Sequence, residues 1–457
     1  MWGSEAQTTR SREGEAGHDT LMKGYTEDTL KSQTVSTKLQ KIATQAEENP
    51  QMVFITLAHH LDVDFLHEAY RQTRKDSSPG VDGVTAKEYG ANLEANLKEL
   101  HIRLKSGRYK APPVLRAWLE KENGKKRPIG KPTFEDKIVQ RAVVMLLEPI
   151  YEQVFHDFSH GFRRGRNQHQ ALKELRENLI SHNINWVLIA DITGLFDNLD
   201  HGILRELIRK RMNDGTLIRL IGKWLNAGVM EAGNIHHSEA GTPQGGVISP
   251  ILSNIFLHYV LDDWYKQEVK PRLKGKSFLI RWADDFIIAF EDKSDAERVM
   301  AVLPKRFERF KLNLHPEKTS LIRFTRPVTK EDAKDIGTFD FLGFTHYWGK
   351  GYKGNWYIKR KTSRKRLTRF LKRTWQWCKE NMHELVKEQY KTLCSKLRGF
   401  YQYFGVRSNY KSLEKAYYYT YRAWMKWLSR RTRDGKVLYR ELIKNYPLPR
   451  PRIVHDI

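Results

Sequence analysis

Two adjacent aspartates, Asp284 and Asp285, sit between apolar runs in "SFLIRWADDFIIAF", residues 277–290, and a third, Asp191, closes the run "NWVLIAD". A carboxylate at the end of a buried strand is costly unless it is paired or bound to a cation. If the two stretches lie side by side, the three acids converge at one sheet edge. There they would repel and raise each other's pKa unless a divalent cation held them. Hard oxygen ligands favour Mg²⁺, which binds substrate phosphates with few protein ligands. Two such ions clamp the attacking and leaving oxygens of an in-line phosphoryl displacement. Asp is also a common turn residue that bonds nearby backbone N–H groups, so the rest of the chain must decide between a turn and a site.

The flanking residues set the frame. Phe278–Trp282 and Phe286–Phe290 are rich in β-branched and aromatic residues and read as two strands joined at the aspartates; Trp186–Ala190 reads as a buried strand ending on Asp191. Residues 1–36 are polar and aperiodic, the pattern of a disordered or partner-dependent segment. A helical pattern runs from Thr37 to Arg74, and Pro79-Gly80 fits the centre of a type II turn. Residues 84–180 look mainly helical, interrupted by a hairpin whose tip carries Lys125, Lys126 and Arg127. A helix from about Leu199, the loop "EAGTPQGGVISP", the apolar helix "ILSNIFLHYVLDDW" and short strands in "LNLHPEKTSLIRF" and "TFDFLGFTHYW" follow. Strands interleaved with helices make the class α+β. Leu367, Phe370, Leu371, Trp375 and Cys378, then Leu393, Leu397, Phe400, Tyr401 and Phe404, recur at helical spacing, so residues 361–430 read as a helical bundle. The expected divisions are 1–36, 37–180, 181–350 and 351–457.

The formal charge is +26 and the pI about 9.8, which points to a polyanionic partner, nucleic acid first. The charge is regional, since Gly351–Ile457 holds 28 Lys and Arg against 7 Asp and Glu. In "SKLRGFYQYFGV" and "KAYYYTYRAWMKWLSRRTR" cations alternate with Tyr and Trp, a composition that holds a backbone while aromatics stack on bases. The same pattern suits a bundle with an aromatic core and a wet charged face, with Lys396, Arg398, Arg430, Arg431 and Arg433 on the outside. No apolar run of about 18 residues points to a membrane, and no apolar leader opens the chain, so a cytoplasmic, nucleic-acid-associated protein is expected. Two cysteines, Cys378 and Cys394, are too few for a disulfide framework or a four-cysteine zinc site. No phosphate-binding Gly-x-x-x-x-Gly-Lys-Ser/Thr loop occurs.

The order of blocks "SSPGVDGVT", "KRPIGKPTFEDKIVQRAV", "FSHGFRRGRNQHQAL", "ADITGLFDNLDH", "GTPQGGVISPILSNIFLHYVLD", "RWADDFII", "LNLHPEKTSLI" and "FLGFTHY" resembles the fingers and palm of group II intron-encoded reverse transcriptases (maturases), from about residue 37 to about 430. The resemblance implies a right-hand polymerase with fingers, a palm built on an antiparallel sheet, and an all-α thumb or maturase domain. It implies that Asp191 and Asp284 carry two Mg²⁺ ions (Mn²⁺ as substitute), with Asp285 and the Ile192 carbonyl assisting. Phe196 would lie under the incoming sugar and exclude a 2′-hydroxyl; a core aromatic would look the same. Gln244 would contact the nucleotide, Lys125 and Arg127 the triphosphate, and Lys318 would protonate pyrophosphate. Gly343 resembles the primer-grip glycine, although a β-bulge glycine would not differ in sequence.

Two positions depart from the family. Trp282 stands where Tyr or Phe is general, and Lys131 replaces an apolar residue. The implied partners are an RNA template, a DNA or RNA primer, dNTPs and structured intron RNA. "YPLPRPRIVHDI" offers no cysteine pairs for the His/Cys endonuclease of many relatives, so second-strand cleavage is not expected. Besides polymerisation, a splicing cofactor whose polymerase site is incidental, or a domesticated defence or CRISPR-associated enzyme, would carry the same blocks.

Overall fold

The computed structural model describes residues 18–120, 126–231, 234–236, 245–431 and 439–457, with side chains from residue 32 onward except at 127, 231, 234–236 and 439. Two compact units share the chain: residues 1–119, 128–155 and 199–255 in one, and 120–127, 156–198 and 256–457 in the other.

The first unit is built around the helix Phe134–Tyr151, which is buried along nearly its whole length. Its N-cap Thr133 accepts from the Asp136 N–H, and Glu135 and Asp136 place negative charge in the first turn. Asp136 itself is buried, accepting from Tyr109, from Trp224 Nε1 at 2.6 Å and from Gln140 Nε2 at 2.9 Å. Burial, only partly offset by these donors, pushes its pKa up to about 6. A small mixed sheet carries the hairpin of β1 (Val114–Glu120) and β2 (Lys126–Lys131), with β1 running parallel to β4 (Val229–Glu231), which pairs with β5 (Asn234–His236). Motif glycines interlock here. A Cβ on Gly80 would lie 2.5 Å from the Thr133 nitrogen, and one on Gly245 would lie 2.4 Å from the Gly130 oxygen.

The second unit holds the four-stranded antiparallel sheet β6-β7-β3-β8, formed by β3 (Trp186–Asp191), β6 (Ser277–Trp282), β7 (Asp285–Phe290) and β8 (Ser320–Arg323). The helix Lys293–Glu308 packs against this sheet through Ala296, Val299, Leu303 and Phe307. β9 (Phe339–Phe341), β10 (Phe344–Lys350) and β11 (Trp356–Thr362) form a second antiparallel sheet. Helices Arg364–Glu380, Val386–Phe404 and Tyr410–Leu428 follow. One apolar core runs through Val187, Ile280, Ile287, Phe344, Leu397, Phe404 and Trp424.

The mixed class, the antiparallel sheet around the aspartates and the helical C-terminal region agree with expectation, and three local readings change. The polar N-terminal stretch is helical from His18, continuous to Glu48. Pro79-Gly80 does not make the type II turn: the left-handed residue is Gly83 at φ 69°, while Gly80 is kept small by Thr133. The region after Gly351 opens with strand β11 before its helices begin.

Candidate active site

Register brings the acids together. β3 pairs with β7 from Trp186↔Phe290 to Asp191↔Asp285, and β6 pairs with β7 up to Trp282↔Asp285. Only Ala283 and Asp284 remain to turn the hairpin. Ala283 has φ 55°, the left-handed first position of a type II′ turn that glycine usually fills. An L-residue there costs roughly 1–2 kcal/mol, so the surroundings must impose it.

They do so from two directions. Residues 158–160 lie along β6, with Arg281 N–H donating to the Phe158 carbonyl and His160 N–H to the Arg281 carbonyl, both at 2.9 Å. That places Gly161 against the turn, where a Cβ would come within 2.3 Å of the Ala283 nitrogen. The Arg281 side chain is fully buried and grips Asp262 with both arms, Nε to Oδ1 at 2.8 Å and Nη2 to Oδ2 at 2.6 Å, while Nη1 donates to the Ala283 carbonyl at 3.2 Å. A bidentate pair of this kind fixes direction as well as charge.

The opposite side of the turn is acidic and open. Asp285 is exposed, Asp284 half-buried, and the Asp191 side chain retains 13% of its exposure. The Lys318 ammonium contacts Asp191 Oδ2, and His315 N–H donates to the Asp191 carbonyl at 2.8 Å. Asp285 is exposed at its surface yet closely surrounded by protein atoms. Desolvation by the surrounding atoms, then the charges of Asp284 and Asp191, push its pKa up to about 7, with Lys318 opposing. Carboxylates that hold a proton for want of positive charge are the donor set a hard cation fits. Ile192 is bridged to Leu314 through hydrogen bonds of its neighbours, Thr193 N–H to Asn313 among them. In an antiparallel bridge of that type the Ile192 carbonyl points to the opposite edge, the side of β7.

A family model described as reverse transcriptase (RNA-dependent DNA polymerase) matches residues 119–346, which contain the whole of this arrangement. The group II intron-encoded protein LtrA of Lactococcus lactis subsp. cremoris is 40% identical over 222 residues, 48% of this chain and 37% of LtrA. The chain belongs to the group II intron-encoded reverse transcriptase and maturase family. Protein YkfC of Escherichia coli is 37% identical over 255 residues, 54% of this chain and 66% of YkfC. Nuclear intron maturase 1, mitochondrial, of Arabidopsis thaliana is 32% identical over 91 residues, 20% of this chain and 12% of that protein. The chain thus spans just over a third of LtrA and about two thirds of YkfC.

Other residues singled out by the family pattern fall as follows. Phe196 is half-buried in the short helix Leu195–Asn198, where Leu195 rather than Phe196 fills the core. Trp282 is half-buried against the main core. Gly343 does not form a bulge: with Leu342 at φ 48° and Gly343 at φ 81° it makes the two-residue β9–β10 turn of type I′. Ser363 N–H and Tyr403 Oη hold that turn, donating to the Gly343 and Leu342 carbonyls at 2.9 and 2.8 Å. Lys125, Gln244 and Arg433, and the Arg127 side chain, lie outside the described residues.

In the thumb, Lys396 lies over the Trp377 ring, Arg398 is exposed, and Arg430 lies over Trp427. Arg431 differs from the expected free cation. It is half-buried and donates to the His383 and Glu384 carbonyls, at 3.0 and 2.8 Å. Sequence reasoning missed three arginines. Arg366, Arg369 and Arg373 share one helix face and, with Phe370, Lys396 and Tyr403, line a cavity of about 550 Å³. Their i, i+3, i+7 spacing was the available signal. The buried Arg281–Asp262 pair had none, because its partners come from separate elements.

Proposed function

We propose that this chain is an RNA-directed DNA polymerase that extends a primer 3′-hydroxyl with dNTPs on an RNA template. The observation that carries the reading is the Asp191↔Asp285 register beside a rigidly braced Asp284 turn. Mg²⁺ ions bound by Asp191, Asp284, Asp285 and the Ile192 carbonyl, or Mn²⁺ in their place, would supply charge stabilisation of the attacking and leaving oxygens. The protein's own part is positioning. β3 and β7 fix the spacing of the acids, and the Arg281–Asp262 pair prevents the turn from relaxing when charge develops.

Phe196 limits room beneath the sugar and so favours dNTPs. Lys318, already at Asp191, delivers a proton to pyrophosphate. Lys125, Arg127 and Gln244 hold the nucleotide, and Trp282 and Gly343 align the primer end. The cations and aromatics of residues 364–431 follow the template–primer backbone. Structured intron RNA is the second ligand, and the similarity to proteins named as intron-encoded or intron maturases supports assistance in splicing.

Primer extension on an annealed RNA template with dNTPs and Mg²⁺ tests the proposal. Elongation by the wild type and none by Asp284→Ala supports it, and equal elongation by both ends it. Splicing of a cognate intron should survive Asp284→Ala, Asp285→Ala, because folding RNA does not need the acids.

A further inference from the structure

Among the described residues, the ligand atoms of His156, His258 and Asp263 all lie within 4.8 Å of one another. His156 Nε2 is 2.8 Å from Asp263 Oδ1, and His258 Nε2 is 3.4 Å from Asp263 Oδ2. None of the three takes part in the polymerase chemistry above.

The backbone goes out of its way to make this cluster. The helix that begins at Ser249 widens at His258–Asp262 into π-helix, with the Asp263 N–H bonded to the His258 carbonyl, and the π geometry resumes over Trp264–Val269. Residues five apart on an α-helix point about 140° away from each other. An i→i+5 turn brings them back to one face, and such widened turns are frequent at functional sites. The widened turn is also supported from outside. Arg306 donates to the carbonyls of Tyr259 and Val260, at 3.1 and 3.0 Å. His156 arrives from a distant segment and is held there by Arg163 Nη1 on its carbonyl at 2.7 Å.

We propose that His156, His258 and Asp263 bind a first-row divalent cation, Zn²⁺ foremost, which pins residues 156–163 to the helix bearing Asp262. Two imidazoles and a carboxylate are the donors of three-ligand zinc sites whose fourth position holds water. Nitrogen donors select against Mg²⁺, which prefers oxygen throughout. With bonds of about 2.0–2.1 Å, tetrahedral ligand atoms stand about 3.4 Å apart. That is the His258–Asp263 separation, too long for a strong hydrogen bond. Side-chain exposures of 13%, 4% and 23% for His156, His258 and Asp263 leave the site shielded yet reachable.

Lys266 is the opposing charge, its ammonium 3.3 Å from His156 Nδ1. When the cation takes His156 Nε2, the ring proton resides on Nδ1 and the exposed Lys266 side chain swings into solvent. Both segments the ion would join also brace the catalytic turn: residues 158–160 pair with β6, and Asp262 holds Arg281.

The test uses the full chain, stripped with a chelator and equilibrated with Zn²⁺ in millimolar Mg²⁺. Metal content is measured by mass spectrometry, and Co²⁺ replacement is followed by its visible absorption. The expected result is one Zn²⁺ per chain in the wild type and in Asp284→Ala, Asp285→Ala, with tetrahedral Co²⁺ bands. His156→Gln, a partly exposed position chosen to spare the fold, should bind about 10–100-fold more weakly or worse while its circular dichroism is unchanged. Lys266→Ala should bind several-fold more tightly. No stoichiometric Zn²⁺ in the wild type would mean a hydrogen-bonded His–Asp–His network only, and undiminished binding by His156→Gln would place the ion elsewhere. Either result overturns the proposal.

Discussion

On the proposed function, the acidic turn and the groove lined by Arg366, Arg369 and Arg373 meet the same kind of ligand with opposite designs. At the turn, three carboxylates occupy positions fixed by strand register, and an inaccessible ion pair, a strained Ala283 and Gly161 hold them there. In the groove, Arg366, Arg369, Arg373 and Lys396 spread over two helices among Phe370, Phe400, Tyr403 and Phe404. The first arrangement depends on the geometry that strand register sets. The second depends on summed charge and π-faces, which degrade gradually. Chemistry on a phosphate and grip on a polyanion therefore impose different demands on neighbouring residues of one chain.

The largest separation between the two should come from Arg281→Met. Leaving Asp262 buried without its partner should cost about 3–5 kcal/mol of stability, read by denaturant unfolding, with extension falling at temperatures where the chain is still folded. A loss under about 1 kcal/mol would show that the turn does not rely on the pair. Next is Phe196→Val, expected to raise ribonucleotide incorporation about tenfold or more, since removing bulk from a pocket is worth about 1–3 kcal/mol. Unchanged sugar selectivity would remove Phe196 from the gate.

In the groove, Arg366→Ala or Arg373→Ala should weaken template–primer binding only several-fold. Each should lower the slope of log K against log salt by about 0.9 for duplex DNA, with the rate of addition on bound substrate retained. An all-or-none loss would make the two regions alike. At neutral pH the smallest effect is that of His346, buried and stacked on Phe339, and it grows only on acidification. Burial, then the neighbouring Arg360, pulls its pKa down to about 3 from the ordinary 6.5. Between those values the unfolded chain binds the extra proton. Its contribution is therefore intact above pH about 6.5 and is lost as pH falls, by up to about 1.4 kcal/mol per pH unit. His346→Leu should flatten the acid side of the stability curve, measured by urea unfolding from pH 7 to 4.

What could be read from sequence follows the same division. Asp191, Asp284 and Asp285 were legible because alternation and apolar runs define strands, and register then follows from length. The thumb core was legible from helical spacing, and Leu397, Phe400, Tyr401 and Phe404 are buried as expected. The supports were not. Arg281 reads as an ordinary strand cation until Asp262 is brought beneath it, and Gly161 reads as a loop glycine until Ala283 is seen against it. Gly80 reads as turn chemistry in the sequence, whereas a tertiary contact with Thr133 sets its size. The helix from His18 was missed because its polar composition hides any apolar face. Pairings made only by the folded chain leave no local trace in composition.

The most direct test is a crystal structure with primer–template, an incoming dNTP and Mn²⁺, read by anomalous scattering. The account predicts two anomalous peaks held between Asp191, Asp285 and Asp284, with the Ala283 turn unmoved. Manganese bound away from these acids, or a turn that must refold to admit it, would contradict the claim that strand register and the braced turn together prepare the site.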